Sequence, residues 1–271
     1  MILEFKQIKS IGENQFQMTE NGTLLYVSTS PWTPLSAEFT RNLTMTNPAG
    51  QLVFQTEYNY IENALEEAVP FKYLLTGQQR FNSFKVKDSF GNEVGAFYVE
   101  VNNIADAKMY LLFNGRVLVA YRLQNGPREF ISFYENDAQI GQTTRWNATV
   151  NNMDTYHIHF LPGYENLLPI LTFFMTYYDF VYHNNTSEAM IGYKVSYTYT
   201  YSKNSDKYDS QFILRNFGPE ENERISGKGP NSIKPEAKVG NLSMKTFWII
   251  FGVGWFVALL VAGIVCLLLF L

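Results

Sequence analysis

Residues 166–183, NLLPILTFFMTYYDFVYH, place apolar or aromatic side chains on every side of any helix they form, interrupted only by Thr172, Thr176 and Asp179. Pro169 suits the first turn, where its missing N–H costs nothing. The spacing therefore predicts a helix from Asn166 to His183, and a helix apolar all round must be enclosed. A bilayer crossing takes about 20 residues, more than this Tyr-rich segment supplies comfortably. Burial inside β-structure is the expected solution, with a re-entrant or second membrane segment as the alternative. Leu171, Phe173, Phe174, Tyr177 and Phe180 would then pack a central helix. An enclosed Asp179 needs a strand Arg, Lys or Tyr as partner, or its pKa must rise.

The expected enclosure is antiparallel. Thr23–Ser28, Gln51–Tyr58, Ser83–Asp88, Glu93–Val101, Lys108–Phe113, Arg116–Leu123, Glu129–Glu135 and Tyr156–Leu161 alternate apolar and polar residues with period two. Turn residues separate them at spacings that suit a barrel or sandwich better than βαβ units. Aromatics at 16% fit a pleated surface. In KMYLLF-NG-RVLVAYRL, Asn114 and Gly115 can both take positive φ, which predicts a two-residue type I′ hairpin. A loose repeat links Met45–Phe54, Val86–Gly95 and Ser132–Gly141, aligning Gly50 with Gly91. Met190–Tyr201 and Tyr208–Phe217 read as two further strands.

Thr246 to Leu271 is a run of 26 residues without charge or proline. At about 1.5 Å per residue it exceeds a hydrocarbon core of about 30 Å and predicts a single transmembrane helix. Arg224, Lys228, Lys234, Lys238 and Lys245 precede it and nothing follows Leu271, so the expected topology is a tail anchor with the rest cytoplasmic. The first residues, MILEFKQIKS, do not read as a secretory signal. Sequons at Asn21, Asn42, Asn147, Asn184, Asn185 and Asn241 are the dissent, usable only if the domain lies outside. Gly254, Ala258 and Ala262 share one face of the anchor, which leaves a weak homodimer open. The organisation expected is a barrel domain over 1–217, a Gly, Pro and charge-rich flexible linker over 218–245, and the anchor over 246–271.

Val86-Lys87-Asp88-Ser89-Phe90-Gly91-Asn92-Glu93-Val94-Gly95, together with hairpin-linked strands and a late hydrophobic helix, resembles the tubby C-terminal-like superfamily, which includes LURP-one-related and phospholipid-scramblase-like proteins. That resemblance, over roughly residues 16–184, implies a closed barrel of about twelve strands around a central helix, and a membrane-associated binding or regulatory role without a catalytic centre. Two departures stand beside it. Strand-like runs follow the helix here, and no basic phosphoinositide-binding motif can be carried over.

No chemistry-bearing motif stands out. There is no G-x-S-x-G, no P-loop and no EF-hand spacing. A single cysteine, Cys266, excludes disulfide frameworks and Cys-rich metal sites. A net charge of −4 disfavours nucleic acid as a partner. His157 and His159 share a strand face and would need His183 or Asp179 to complete a metal site, against which buried structural histidines are the commoner outcome. Lys85, Lys87, Arg116, Arg122 and Arg128 lie on neighbouring hairpins and form the candidate lipid-facing basic set. The expected function is a non-enzymatic, cofactor-free module that binds membrane lipid or a protein partner at the cytoplasmic face. The alternatives are lipid transport or scrambling with 166–183 in the bilayer, and an extracellular β-sandwich on a membrane stalk.

Overall fold

The computed structural model describes residues 1–10, 12–31, 42–69, 71–103, 106–125, 128–146, 153–183, 204–226, 238–239 and 242–243. The run 190–201, the anchor 246–271 with Gly254, Ala258, Ala262 and Cys266, and the sequons at 147, 184, 185 and 241 lie outside the described residues. Residues 1–232 form one compact unit and 233–271 a second. In the second, strands Lys238–Val239 and Leu242–Ser243 pair antiparallel.

Twelve strands in the first unit close into one antiparallel barrel in the order β1-β12-β11-β10-β9-β8-β7-β6-β5-β4-β3-β2. They are β1 Ile2–Lys9, β2 Glu13–Glu20, β3 Thr23–Pro31, β4 Thr44–Thr46, β5 Leu52–Tyr58, β6 Gln79–Asp88, β7 Glu93–Asn103, β8 Asp106–Phe113, β9 Arg116–Asn125, β10 Arg128–Glu135, β11 Ala138–Trp146 and β12 Thr155–Phe160. All eight strands expected from alternation are present, and the sheet is a closed barrel rather than a two-sheet sandwich. Sequence periodicity missed β1, β2, β4 and β11. In β11 the reason is physical: residues 140–145 are buried one after another, so both faces of the strand are covered. Consecutive small polar residues there replace the alternation a half-exposed strand shows.

The barrel is filled by α3, Leu168–Tyr182, which follows one 3₁₀ turn and carries Pro169 in its first turn. Phe173, Phe174, Tyr177 and Tyr178 are wholly buried, and Leu171 and Phe180 nearly so. Phe173 packs against Phe54 and Phe97, and Phe174 against Phe97 and Phe133, at centroid separations of 5.5–5.9 Å. Each polar position on the helix finds a partner within reach. Thr172 donates to the Leu168 carbonyl at 2.8 Å, Thr176 bonds Ser28 at 2.6 Å, and Tyr177 donates to the Asn82 carbonyl at 2.9 Å. Asn82 takes φ +50° at a break in the β6–β7 register, which turns its carbonyl to the tyrosine.

The V-x-D-x-x-G-x-x-V-G segment is now accountable residue by residue. Asp88 accepts the N–H groups of Phe90 and Asn92 at 2.9 Å each, and Gly91 adopts φ +84°. Asn47 accepts the N–H groups of Ala49 and Gln51 at 3.0 Å each, with Gly50 at φ +78°. The first two repeats are therefore the same Asx-stabilised turn on two hairpins. The third is a different, two-residue turn with Asn136 and Asp137 at positive φ, like the expected Asn114-Gly115 turn. Gly95 serves another purpose: a Cβ there would stand 2.0 Å from the Leu112 carbonyl oxygen.

After α3 the structure departs from expectation. Tyr208–Phe217 is not a strand; it contains the helix α4, Phe212–Phe217. The stretch read as the start of a linker contains α5, Pro219–Ser226. Phe212 and Ile213 with Ile225 form a small core that also engages Leu161 and Phe217, and Tyr208 packs at a tilt against Phe130, with ring centroids 4.6 Å apart. Apolar residues spaced along a mostly polar stretch found a wall to cover, a tertiary opportunity that local composition does not advertise.

Gly95→Ala is expected to destabilise the domain by about 2–3 kcal/mol through the forced separation of β7 from β8. Gly12→Ala, with open space around its Cβ position, should cost about 1 kcal/mol, the backbone strain alone. Thermal unfolding of the two variants measures the difference.

Candidate functional site

One end of the barrel interior is polar. Strand parity puts it there: Leu118 and Ala120 of β9 face the core, so Arg122 faces inward too, and Ile131 and Phe133 of β10 do the same for Glu129. The C-terminal turn of α3 and its cap His183 descend onto this rim. Arg122 donates from Nε and Nη2 to Glu129 Oε2 at 2.9 and 2.6 Å. Tyr178 donates its hydroxyl proton to Glu129 Oε1 at 2.7 Å, and His183 Nε2 lies 2.7 Å from the same oxygen. Beside them Tyr156 donates to Asp179 Oδ2 at 2.7 Å, the strand tyrosine that an enclosed Asp179 required. Arg145 donates from Nε to Asp154 Oδ1 at 2.7 Å. The Asp154 N–H donates to Gln7 Oε1 at 3.2 Å, and Gln7 donates to Asn14 at 3.1 Å.

Burial dominates the protonation of this cluster. It pushes His183 down to about 4, and the Arg145 charge pushes the same way against the pull of Glu129. Burial works to raise Glu129, but the His183 contact and the guanidiniums of Arg122 and Arg145 outweigh it and hold the carboxyl well below its ordinary range. The Tyr156 hydroxyl is raised well above its usual value by burial and then by Asp179, so it stays a proton donor. Arg122 faces Glu129 and Arg145 faces Asp154 around an imidazole that is neutral at neutral pH, and Tyr156 holds the third acid, Asp179. Such a network fixes the depth and rotation of α3 in the barrel. Burial first, and then the neighbouring carboxylates, raise the Tyr156 and Tyr178 hydroxyls well above their usual value, so both keep their protons.

The five cations singled out from sequence do not form one basic face. Lys85 and Lys87 stand on the outer wall, pairing Glu93 at 3.1 Å and Glu57. Arg128 lies outside on β10 against the rings of Phe130 and Trp146, 5.4 and 5.5 Å from their centroids. Arg116 and Arg122 share the parity of the core residues and sit at opposite rims, Arg116 gripping Glu135 through two bonds of 2.8 Å. Counting in twos from Leu118 would have placed both arginines inward, a signal present in the sequence. Parity with Ile131 and Phe133 would have placed Glu129 inward in the same way; Arg145 and Tyr178 carried no comparable signal, because β11 lacks alternation and the partner of Tyr178 lies 49 residues away.

His157 and His159 face outward under α5. His159 is wholly buried and contacts Glu221, while Arg224 reaches His157 at 3.3 Å. His183 belongs to the opposite face of the wall. Among the described residues no three His, Cys, Asp or Glu side chains converge as metal ligands.

In comparison with known proteins, no family model, no curated protein and no solved structure matches this chain.

The histidines set the acid response. His183 stays neutral in the fold down to about pH 4 but protonates near 6.5 when unfolded, so stability is lost as pH falls through that window. His157 and His159, also lowered first by burial, act in the same direction. His183 alone should cost about 2 kcal/mol between pH 7 and pH 5. His183→Gln, which keeps a donor for Glu129, is expected to shrink the pH-dependent fall in melting temperature. Arg145→Met should cost about 3–5 kcal/mol at every pH above 5 by leaving Asp154 buried without its guanidinium.

Proposed function

We propose that this chain is a membrane-anchored, non-enzymatic barrel of the tubby C-terminal-like kind, a binding or regulatory module for lipid or protein partners at the cytoplasmic face of a membrane. The observation that carries the reading is the enclosed helix. With α3 filling its interior, the barrel has no lumen for a substrate to cross, and its polar rim is satisfied internally. What such a body can offer a partner is its outer surface and its rims. The family assignment draws support from the twelve-strand closure around one hydrophobic helix and from the shared hairpin turns at 47–50 and 88–91. Anchoring draws support from the uncharged run 246–271, and orientation from the five cations that precede it.

The full chain, expressed with an amino-terminal tag, is expected to stay in the membrane pellet through alkaline carbonate extraction, and a chain stopped at residue 245 to leave it. The tag should be digested only after the plasma membrane is opened. A carbonate-soluble full chain would remove the anchor, and digestion on intact cells would place the barrel outside.

A further inference from the structure

Between β5 and β6 the chain leaves the barrel for two short helices, α1 Tyr60–Glu67 and α2 Tyr73–Thr76, and α1 is inside out. Its polar side faces the wall. Glu62 accepts from Asn59 and Ser83 at 2.7 Å each, Asn63 donates to the Ser83 carbonyl at 2.9 Å and accepts its N–H at 2.9 Å, and Glu66 takes Lys72 at 2.7 Å. Its apolar side faces solvent: Ile61 is 76% exposed and Leu65 68%. The excursion continues with Phe71 at 61%, Leu74 at 71% and Leu75 at 82%. Phe71 sits at φ +58°, a conformation a bulky side chain adopts only under constraint. Seven of the twelve large apolar side chains exposed among the described residues fall between Tyr60 and Leu75. Ordinary surface helices orient the other way, and apolar clusters of this size mark interaction surfaces.

We propose that this excursion is a membrane-insertion element that seats its apolar face in the interfacial zone of a zwitterionic bilayer. The inference rests on the membrane reading above and supplies its contact surface. Charge selects the occupant. Glu62, Glu66 and Lys72 are spent within the excursion and on the wall and the exposed Glu67 is an acid, so the described residues of the outward face present no free cation to an anionic headgroup and few hydrogen bonds to a folded partner. A fluid apolar layer asks for neither. The length of chain is compatible: with 246–271 in the bilayer, the 11 residues 227–237 ahead of the 238–243 hairpin can span up to about 35 Å. Phe90, 87% exposed, lies at the far end of β6 and serves as the control position.

The full chain carrying Cys266→Ala and Leu75→Cys, labelled with an environment-sensitive dye and reconstituted in phosphatidylcholine vesicles, tests this. Lipids with a nitroxide near the headgroup should quench the Leu75→Cys label at least about twofold and leave a Phe90→Cys label unchanged. Quenching should be indifferent to salt between about 0.1 M and about 1 M. Adding Ile61→Glu and Leu74→Glu, both at exposed positions, should abolish it while the chain still floats with the vesicles. A floating chain with an unquenched label overturns the insertion and leaves the anchor standing. A label shielded from both lipid and aqueous quenchers assigns the face to a second copy or a protein, and a need for anionic lipid assigns it to electrostatics; either overturns the proposal. A chain that does not float overturns the membrane reading and this inference with it.

Discussion

A fifteen-residue helix with aromatic side chains on every face satisfies its own backbone but leaves nothing for water to solvate. Packing it against one sheet would cover a single stripe. Closing a sheet around it covers the whole circumference and also removes the open strand edges that invite aggregation. The barrel and α3 are thus one solution to two problems. Aromatic packing near 5.5 Å between α3 and β5, β7 and β10 shows how fully the lumen is used.

An apolar rod in an apolar sleeve has weakly specified depth and rotation. The polar contacts provide the register. Thr176 with Ser28, Tyr177 with the Asn82 carbonyl, Tyr178 with Glu129 and Asp179 with Tyr156 engage four different strands or strand breaks, and a rotation or slide of α3 by one residue would break them together. The buried ion pairs around them are weak as net stabilisers. Their consequence is uniqueness of the packed state, with acid sensitivity accompanying it because a neutral imidazole is built into the network.

The barrel wall is asymmetric in what it shows the outside. Over parts of β10 and β12 it is covered by residues 204–226, with Tyr208 on Phe130, Phe217 on His159, and α4 and α5 burying Phe212, Ile213 and Ile225. Next to β6 the opposite occurs: α1 spends its carboxylates on the wall and turns Ile61 and Leu65 to solvent. A polar lock inward and an apolar surface outward make the excursion the part of the domain whose chemistry is unfinished in isolation.

Much of this was legible in the sequence. Continuous hydrophobicity over 166–183 dictates enclosure, alternation locates eight strands, and Asn114-Gly115 and Asp88 with Gly91 dictate their turns, because those signals are local backbone and burial effects. Even the inward arginines follow from parity with Leu118. Tertiary structure alone decided the rest. Strand β11 is buried on both faces, so its alternation vanished. Residues 208–226 became helices because a wall was there to cover. Glu129 meets Arg122 across its own hairpin, but it acquired Tyr178 and His183 from α3 and its cap, 49 and 54 residues away. Pairing across such distances depends on where the closed sheet brings each side chain, and no window of neighbouring residues contains that information.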